Sequence, residues 1–295
     1  MIRRDFLTSG LALICAGISA SGTLPVWAEQ ASDTVKVAPD TLAIGGTVTE
    51  IVFALGQGHR LLARDTTSNF PPEAQNLPDV GYMRALSPEG VLSVGPTMII
   101  AEEGAGPPET LDVLRAANVS YVDVPLGYDL AAIVQKIRIV GAALGVSERA
   151  EKLAQDVSRR FDVAVAAAQA KSSRPKRVMF LLSAQQGKLL VGGEQTAADA
   201  IIRLSGGVNA VQGLHGFKPL TDEAAAAAAP DVVLMMSRGG AHDMSAAALF
   251  SSPSLMVTPA ATTQALVKMD GLKLLGFGPR TAEAVNDLSK ALGDL

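Results

Sequence analysis

The feature that most limits what this chain can fold into is a unit that occurs twice at one fixed offset. Leu86-Ser87-Pro88-Glu89 leads to Pro96-Thr97 and then Met98-Ile99-Ile100; Leu220-Thr221-Asp222-Glu223 leads to Pro230-Asp231 and then Val232-Val233-Leu234. The offset is constant: 220 − 86 = 134, 223 − 89 = 134 and 230 − 96 = 134. Each copy reads as a short helix with an acidic start, a proline and a buried strand. Its recurrence once per half argues for two similar α/β halves made by duplication. The Ala224–Ala229 run falls inside the second copy and reads as helix, since alanine is the best helix former.

Short apolar runs alternate with helical patterns along the rest of the chain. In the first half the strands are predicted at Val35–Val37, Leu61–Ala63, Thr97–Ala101 and Tyr121–Val124, with helices at Thr47–Leu55, Pro108–Ala117 and Leu130–Leu144. The second half repeats the scheme with strands at Val178–Ser183, Leu189–Val191, Val232–Met236 and Leu266–Met269, and helices at Thr196–Leu204 and Thr281–Leu292. Between the halves, Ser147 to Lys171 contains no Gly or Pro, and Leu153, Val157, Phe161, Ala164 and Ala168 give it one apolar face. At 1.5 Å per residue such a helix is roughly 37 Å long, longer than most crossover helices. The expected architecture is therefore α/β, with two Rossmann-like lobes bridged by one long helix: 29–146, the linker helix 147–171, and 172–295.

Residues 1–28 read as an address rather than as structure. Arg3-Arg4-Asp5-Phe6-Leu7 resembles a twin-arginine signal, the apolar run Leu11–Ile18 is too short to span a bilayer, and Val26-Trp27-Ala28 resembles a cleavage site. The expected destination is the periplasm, by the twin-arginine or an ordinary secretory route. Cys15, the only cysteine, lies in this leader behind Ile14, where a lipoprotein anchor would need a small residue. The mature chain then has no thiolate to offer a metal, and a net charge of (25 − 2) − (29 − 1) = −5. A mildly acidic chain is no obvious nucleic-acid or membrane binder.

Enzyme signatures are missing: there is no Gly-x-Ser-x-Gly, Walker loop, His-Glu-x-x-His or dinucleotide fingerprint after a strand. The three histidines, His59, His215 and His242, lack metal-ligand spacing. No enzymatic activity is expected.

The informative segment is Gly81-Tyr82-Met83-Arg84-Ala85-Leu86-Ser87-Pro88-Glu89-Gly90, in the loop entering the first repeat. It resembles the haem-binding periplasmic proteins of bacterial haem importers, which carry a tyrosine in a Gly-Tyr-Met-Arg type motif ahead of Leu-x-x-Glu-Gly. The likeness continues through Ile44-Gly45-Gly46-Thr47-Val48-Thr49-Glu50-Ile51, Thr196-Ala197-Ala198-Asp199-Ala200, Gly206-Gly207-Val208-Asn209-Ala210, Gly216-Phe217-Lys218-Pro219-Leu220 and Leu275-Gly276-Phe277-Gly278-Pro279-Arg280. The resemblance implies that ferric haem b is the transported ligand and that Tyr82 is the axial ligand of its iron. A phenolate is a hard anionic oxygen and an established haem ligand. A phenol ionises near 10 when free, so it needs positive charge nearby. Arg84 is two residues away, and the resemblance puts Arg238 in the place of a second-lobe arginine that hydrogen-bonds the phenolate. Arg84 could instead pair with a haem propionate, for which its fork is suited.

Met83, Leu86, Phe217, Met235 and Met236 are candidates for the apolar walls, with at most one of Met235 and Met236 facing a cleft because adjacent strand residues point to opposite sides. The second-ligand histidine of some family members has no counterpart between Ser183 and Lys188; His242 is the alternative. The resemblance further implies that Glu89 and Glu223 meet basic residues on a dimeric ABC permease with its ATPase subunits, possible upstream partners being an outer-membrane haem receptor system. The plain structural alternative is that each glutamate only complements a helix dipole. The chain is expected to be a soluble monomer. The competing readings are a binding protein for a ferric siderophore or cobalamin and a periplasmic haem-storage or handling protein.

Overall fold

The computed structural model describes residues 38–171, 174–185, 188–237 and 244–295. In the first lobe β1 (Thr41–Ile44), β2 (Leu61–Arg64), β3 (Met98–Glu102) and β4 (Ser120–Val124) form one parallel sheet in the order β2-β1-β3-β4. All of β1 and most of β3 are buried, as a parallel sheet covered on both faces requires. One face packs on α1 (Gly46–Ala54) and α4 (Leu130–Ala143) through Val48, Ile51, Val52, Ile133, Ile137 and Val140. The other packs on α2 (Pro88–Leu92) and α3 (Pro108–Ala116), with Leu42, Ile44 and Ile99 against Val91 and Leu114. The first predicted strand, 35–37, lies outside the described residues; β1, four residues on, takes the place beside β2 and β3.

The helix α5 spans Ser147–Lys171 without a break and buries Ala150, Ala154, Val157, Phe161, Ala164 and Ala168. It packs on α4 of the first lobe and on α11 (Thr281–Gly293) of the second. Its buried stripe runs through Ala154 rather than Leu153. The reason is a close crossing: a Cβ added to Gly141 of α4 would lie 2.2 Å from the Ala150 Cβ, so only small side chains fit at that end.

The second lobe carries six strands: β5 (Arg177–Gln185), β6 (Lys188–Gly192), β7 (Val208–Asn209), β8 (Phe217–Leu220), β9 (Val232–Ser237) and β10 (Leu266–Asp270). Their order is β10-β9-β5-β6-β8, with β7 also beside β5. β10, β9, β5 and β7 are parallel, while β6 and β8 run as antiparallel partners. This departs from a plain repeat of the first lobe. Only residues 186 and 187 separate β5 from β6, and a parallel crossover needs a dozen residues or more. The helices α6 (Ala197–Leu204), α7 (Asp222–Ala228), α8 (Ala246–Phe250), α9 (Pro259–Thr263) and α10 (Gly271–Leu275) complete the lobe.

The repeat is geometrical as well as sequential. Ser87 and Thr221 are both N-caps, their hydroxyls accepting from the backbone N–H three residues on. Val91 and Ala225 are both fully buried. Gly95 and Ala229 both take positive φ, 66° and 41°, before Pro96 and Pro230, and β3 and β9 begin at Met98 and Val232. Each pair is separated by 134 residues, the offset read from the sequence.

Candidate functional site

In an open parallel sheet a ligand usually enters at the carboxyl edge, where the strand order reverses. In the first lobe that point lies between β1 and β3, and here protein fills it. Gly45, at φ 104°, turns the chain tightly out of β1; a Cβ there would lie 2.7 Å from the Glu102 Cβ. The next two residues meet the second lobe: Leu272 packs on Gly46, and the Thr47 hydroxyl donates to the Gly276 carbonyl at 2.8 Å. The Lys136 ammonium, 1% exposed, bonds Glu102 Oε1 at 3.2 Å and the carbonyls of Gly276 and Phe277 at 3.3 and 3.5 Å. Burial pushes the Glu102 carboxyl above its usual range, and Lys136 pulls it back. One turn along α1, Glu50 accepts from Arg280 Nη2 at 2.9 Å and from its backbone N–H at 3.2 Å, while the guanidinium lies 3.4 Å over the Phe70 ring. The cavity of about 590 Å³ beside this pair is lined by Glu50, Phe53, Phe70, Arg280 and Glu283, and Glu283 is itself bonded to Arg160. Its charges are largely spent on one another.

The open part of the edge is built around the loop after β2. Asp65, fully buried, gathers four donors: the backbone N–H of Gly45 and of Thr67, and the hydroxyls of Thr67 and Ser68. Further on, Asp79 accepts from the Gly81 N–H at 2.8 Å and from Arg64 at 3.0 Å. The turn that follows closes with Ala85 N–H donating to the Tyr82 carbonyl. Gly106, in the loop after β3, donates to the Met83 carbonyl and accepts from Leu86 N–H, both at 2.9 Å. Met83 and Leu86 point into the core at 8% and 4% exposure. Tyr82 is left 46% exposed and Arg84 is also outside. Neither side chain bonds to the protein among the described residues, so both are free for a ligand.

Met83 and Leu86, both expected on a ligand wall, lie in the core beneath the turn, while Tyr82 and Arg84 face out. Phe217 opens β8, 39% exposed and edge-on to buried Phe180 at 6.1 Å. Met235 and Met236 pack against opposite faces of their sheet, as strand alternation requires. His215 lies 3.8 Å from Glu194, and His59 sits in a short 3-10 turn. Arg238 and His242 lie outside the described residues. Glu89 and Glu223 are exposed second residues of α2 and α7, and neither is engaged by a cation among the described residues.

The motif reading missed Tyr128. It stands in the loop between β4 and α4, half-buried, its ring edge-on to Phe277 of the second lobe at 5.4 Å and 62°. Beside it Leu126 is 40% exposed. No spacing signal links position 128 to position 82; only the sheet brings the two loops to one edge.

Among the described residues no helix is long and apolar enough to cross a membrane, and no group of three or more His, Cys, Asp or Glu could hold a metal ion. Comparison with known proteins agrees with this architecture. The periplasmic heme-binding protein BhuT, solved in complex with two hemes, is 41% identical, with a TM-score of 0.83 over 88% of this chain and 99% of that one. The periplasmic heme-binding protein RhuT from Roseiflexus sp. RS-1 is 39% identical, with a TM-score of 0.81 over 88% and 99%. Curated relatives are matched over less than two thirds of their length; a vitamin B12-binding protein of Vibrio cholerae is 28% identical over 169 residues, 57% of this chain and 59% of the relative. The family described as periplasmic binding protein matches residues 42–271, from β1 to the start of α10. The two α/β lobes match the fold of these solved structures, and with the family model covering most of its length this chain belongs to the periplasmic binding protein family.

Proposed function

We propose that this protein captures ferric haem between its two lobes and delivers it to an ABC importer, without chemistry on the ligand. The observation that carries the reading is Tyr82 with Arg84 two residues on: an exposed phenol and guanidinium, neither hydrogen-bonded among the described residues, on a turn pinned at both ends. A phenolate is a suitable single axial ligand for ferric iron, and Arg84 supplies nearby positive charge or takes a propionate. The haem-binding neighbours at 39–41% identity support the same ligand. Residues 1–28 are read as a twin-arginine or secretory leader to the periplasm. Glu89 and Glu223 are read as the two docking points for a dimeric permease.

Purified mature protein titrated with hemin should give a ferric, high-spin, tyrosinate-like spectrum. Tyr82→Phe should lose the charge-transfer band and bind hemin far more weakly. An unchanged spectrum in Tyr82→Phe would refute the ligand assignment. The vitamin B12-binding relatives favour a corrinoid as the second reading; tight binding of cyanocobalamin with no response to hemin would establish it instead.

A further inference from the structure

We propose that Tyr128 is a second ligand-contacting residue of the cleft, its hydroxyl donating a hydrogen bond to a carboxylate on the rim of the ligand beside Arg84. The inference rests on the haem reading above, because it assigns the polar end of that same ligand. Three observations support it.

The loop that carries Tyr128 is held in place before any ligand arrives. Leu126 N–H donates to Glu103 Oε2 at 2.9 Å, and Asp129 caps α4 by accepting from Ala132 N–H at 2.8 Å. The ring rests on Phe277, so its position also registers the second lobe.

The hydroxyl has no hydrogen-bond partner in the protein among the described residues, although its ring is packed. Of the three tyrosines, Tyr121 also has a hydroxyl without a hydrogen-bond partner among the described residues, so the two differ in place and not in pairing. Tyr121 lies within β4 with its hydroxyl buried and its ring under Arg115 at 4.9 Å, away from the carboxyl edge. Tyr128 instead sits at that edge, with Arg84, Glu102 and Glu103 as its charged neighbours.

Finally, the environment suits a phenol that keeps its proton. Burial is the first cause that raises the Tyr128 pKa above its ordinary value; Glu102 and Glu103 push the same way, and Arg84 opposes them. A group held in the protonated form is a hydrogen-bond donor rather than an iron ligand. The cleft then contains two tyrosines with different tasks: Tyr82 for the metal, Tyr128 for a carboxylate.

The test compares hemin with hemin dimethyl ester, whose rim carboxylates are blocked, on the wild-type protein and on Tyr128→Phe. This substitution keeps the ring and its contact with Phe277. Tyr128→Phe should weaken hemin binding by about tenfold, the scale of one hydrogen bond to a charged group. It should leave the ester's affinity unchanged and keep the tyrosinate band. Equal affinity for hemin in both proteins would overturn the proposal while leaving the haem reading intact. So would an equal loss for both ligands, which would mark a packing role, or loss of the tyrosinate band, which would make Tyr128 the iron ligand. Failure of the wild-type protein to bind hemin at all would overturn both.

Discussion

Lys136 shows how one residue can be read wrongly from its type and rightly from its partners. A lysine in the middle of an apolar helical pattern is expected to reach solvent. Here it is among the largest fully buried side chains of the described residues, and its ammonium is shared between Glu102 of the first lobe and two carbonyls of the second. Breaking a buried pair by removing one partner is costly because a charge is left without compensation. Lys136→Met should lower stability at pH 8 by about 3–5 kcal/mol in urea unfolding. The pH dependence has a definite sign. Burial already holds the Glu102 pKa above its unfolded value; without the lysine only the Thr47 hydrogen bond opposes burial and the nearby Asp65, so the folded-state pKa rises further. Stability is then present at low pH and lost as pH rises through the folded pKa. The deficit against wild type should therefore shrink from pH 8 to pH 5, and Glu102→Gln in the Lys136→Met background should remove most of that dependence. A deficit equal at both pH values would mean that Glu102 is not the group left exposed to burial.

At the scale of elements, α5 is held by packing on both lobes and not by its length alone. Its last three buried positions, Phe161, Ala164 and Ala168, and its first two, Ala150 and Ala154, keep one stripe over about five turns. The alanines near the N-terminal end are required by the crossing with Gly141. Enlarging one of them creates overpacking, which costs about 1–3 kcal/mol. Ala150→Leu should show that loss by thermal or urea unfolding, whereas Leu153→Ala, on the partly exposed flank, should cost less. The reverse order would place the contact with α4 on the Leu153 side of the helix. An uninterrupted helix is also a poor hinge, since closure needs residues that absorb large dihedral changes.

For the whole molecule, the strut and the filled switch point act together. The lobes are joined by α5 and again by Lys136, Thr47 and the Glu50–Arg280 pair, so the separation across the open edge is set before a ligand arrives. Under the proposed delivery role, a partner would have to grip both lobes. Glu89 and Glu223, related by the internal repeat and both exposed, suit a pseudo-symmetric dimeric permease with basic residues at two points. Glu89→Lys with Glu223→Lys should leave the hemin spectrum and affinity unchanged while reducing stimulation of the transporter's ATPase by about tenfold or more, with each single reversal doing less. Wild-type stimulation by the double variant would reduce both residues to helix-end charges.

The sequence by itself determined what depends on local chemistry and on near repetition. The long helix is legible because nothing between Ser147 and Lys171 breaks it, and the duplicated unit is legible because caps, prolines and strand starts recur at one offset. Tyr82 and Arg84 stand out because their motif is contiguous. Tertiary structure alone decided what depends on residues far apart in the chain. It turned Met83 inward, since the turn pinned by Gly106 has only one side facing the core. It made β6 antiparallel, because the connection is too short to cross over. It closed the switch point with the second lobe's Gly276-Phe277 turn, 140 and 141 residues from Lys136, and brought Tyr128 within electrostatic reach of Arg84. The physical reason is common to all of these: a side chain's partners across a sheet edge or a lobe junction follow from packing and buried charge, and neither leaves a period or a spacing in the sequence.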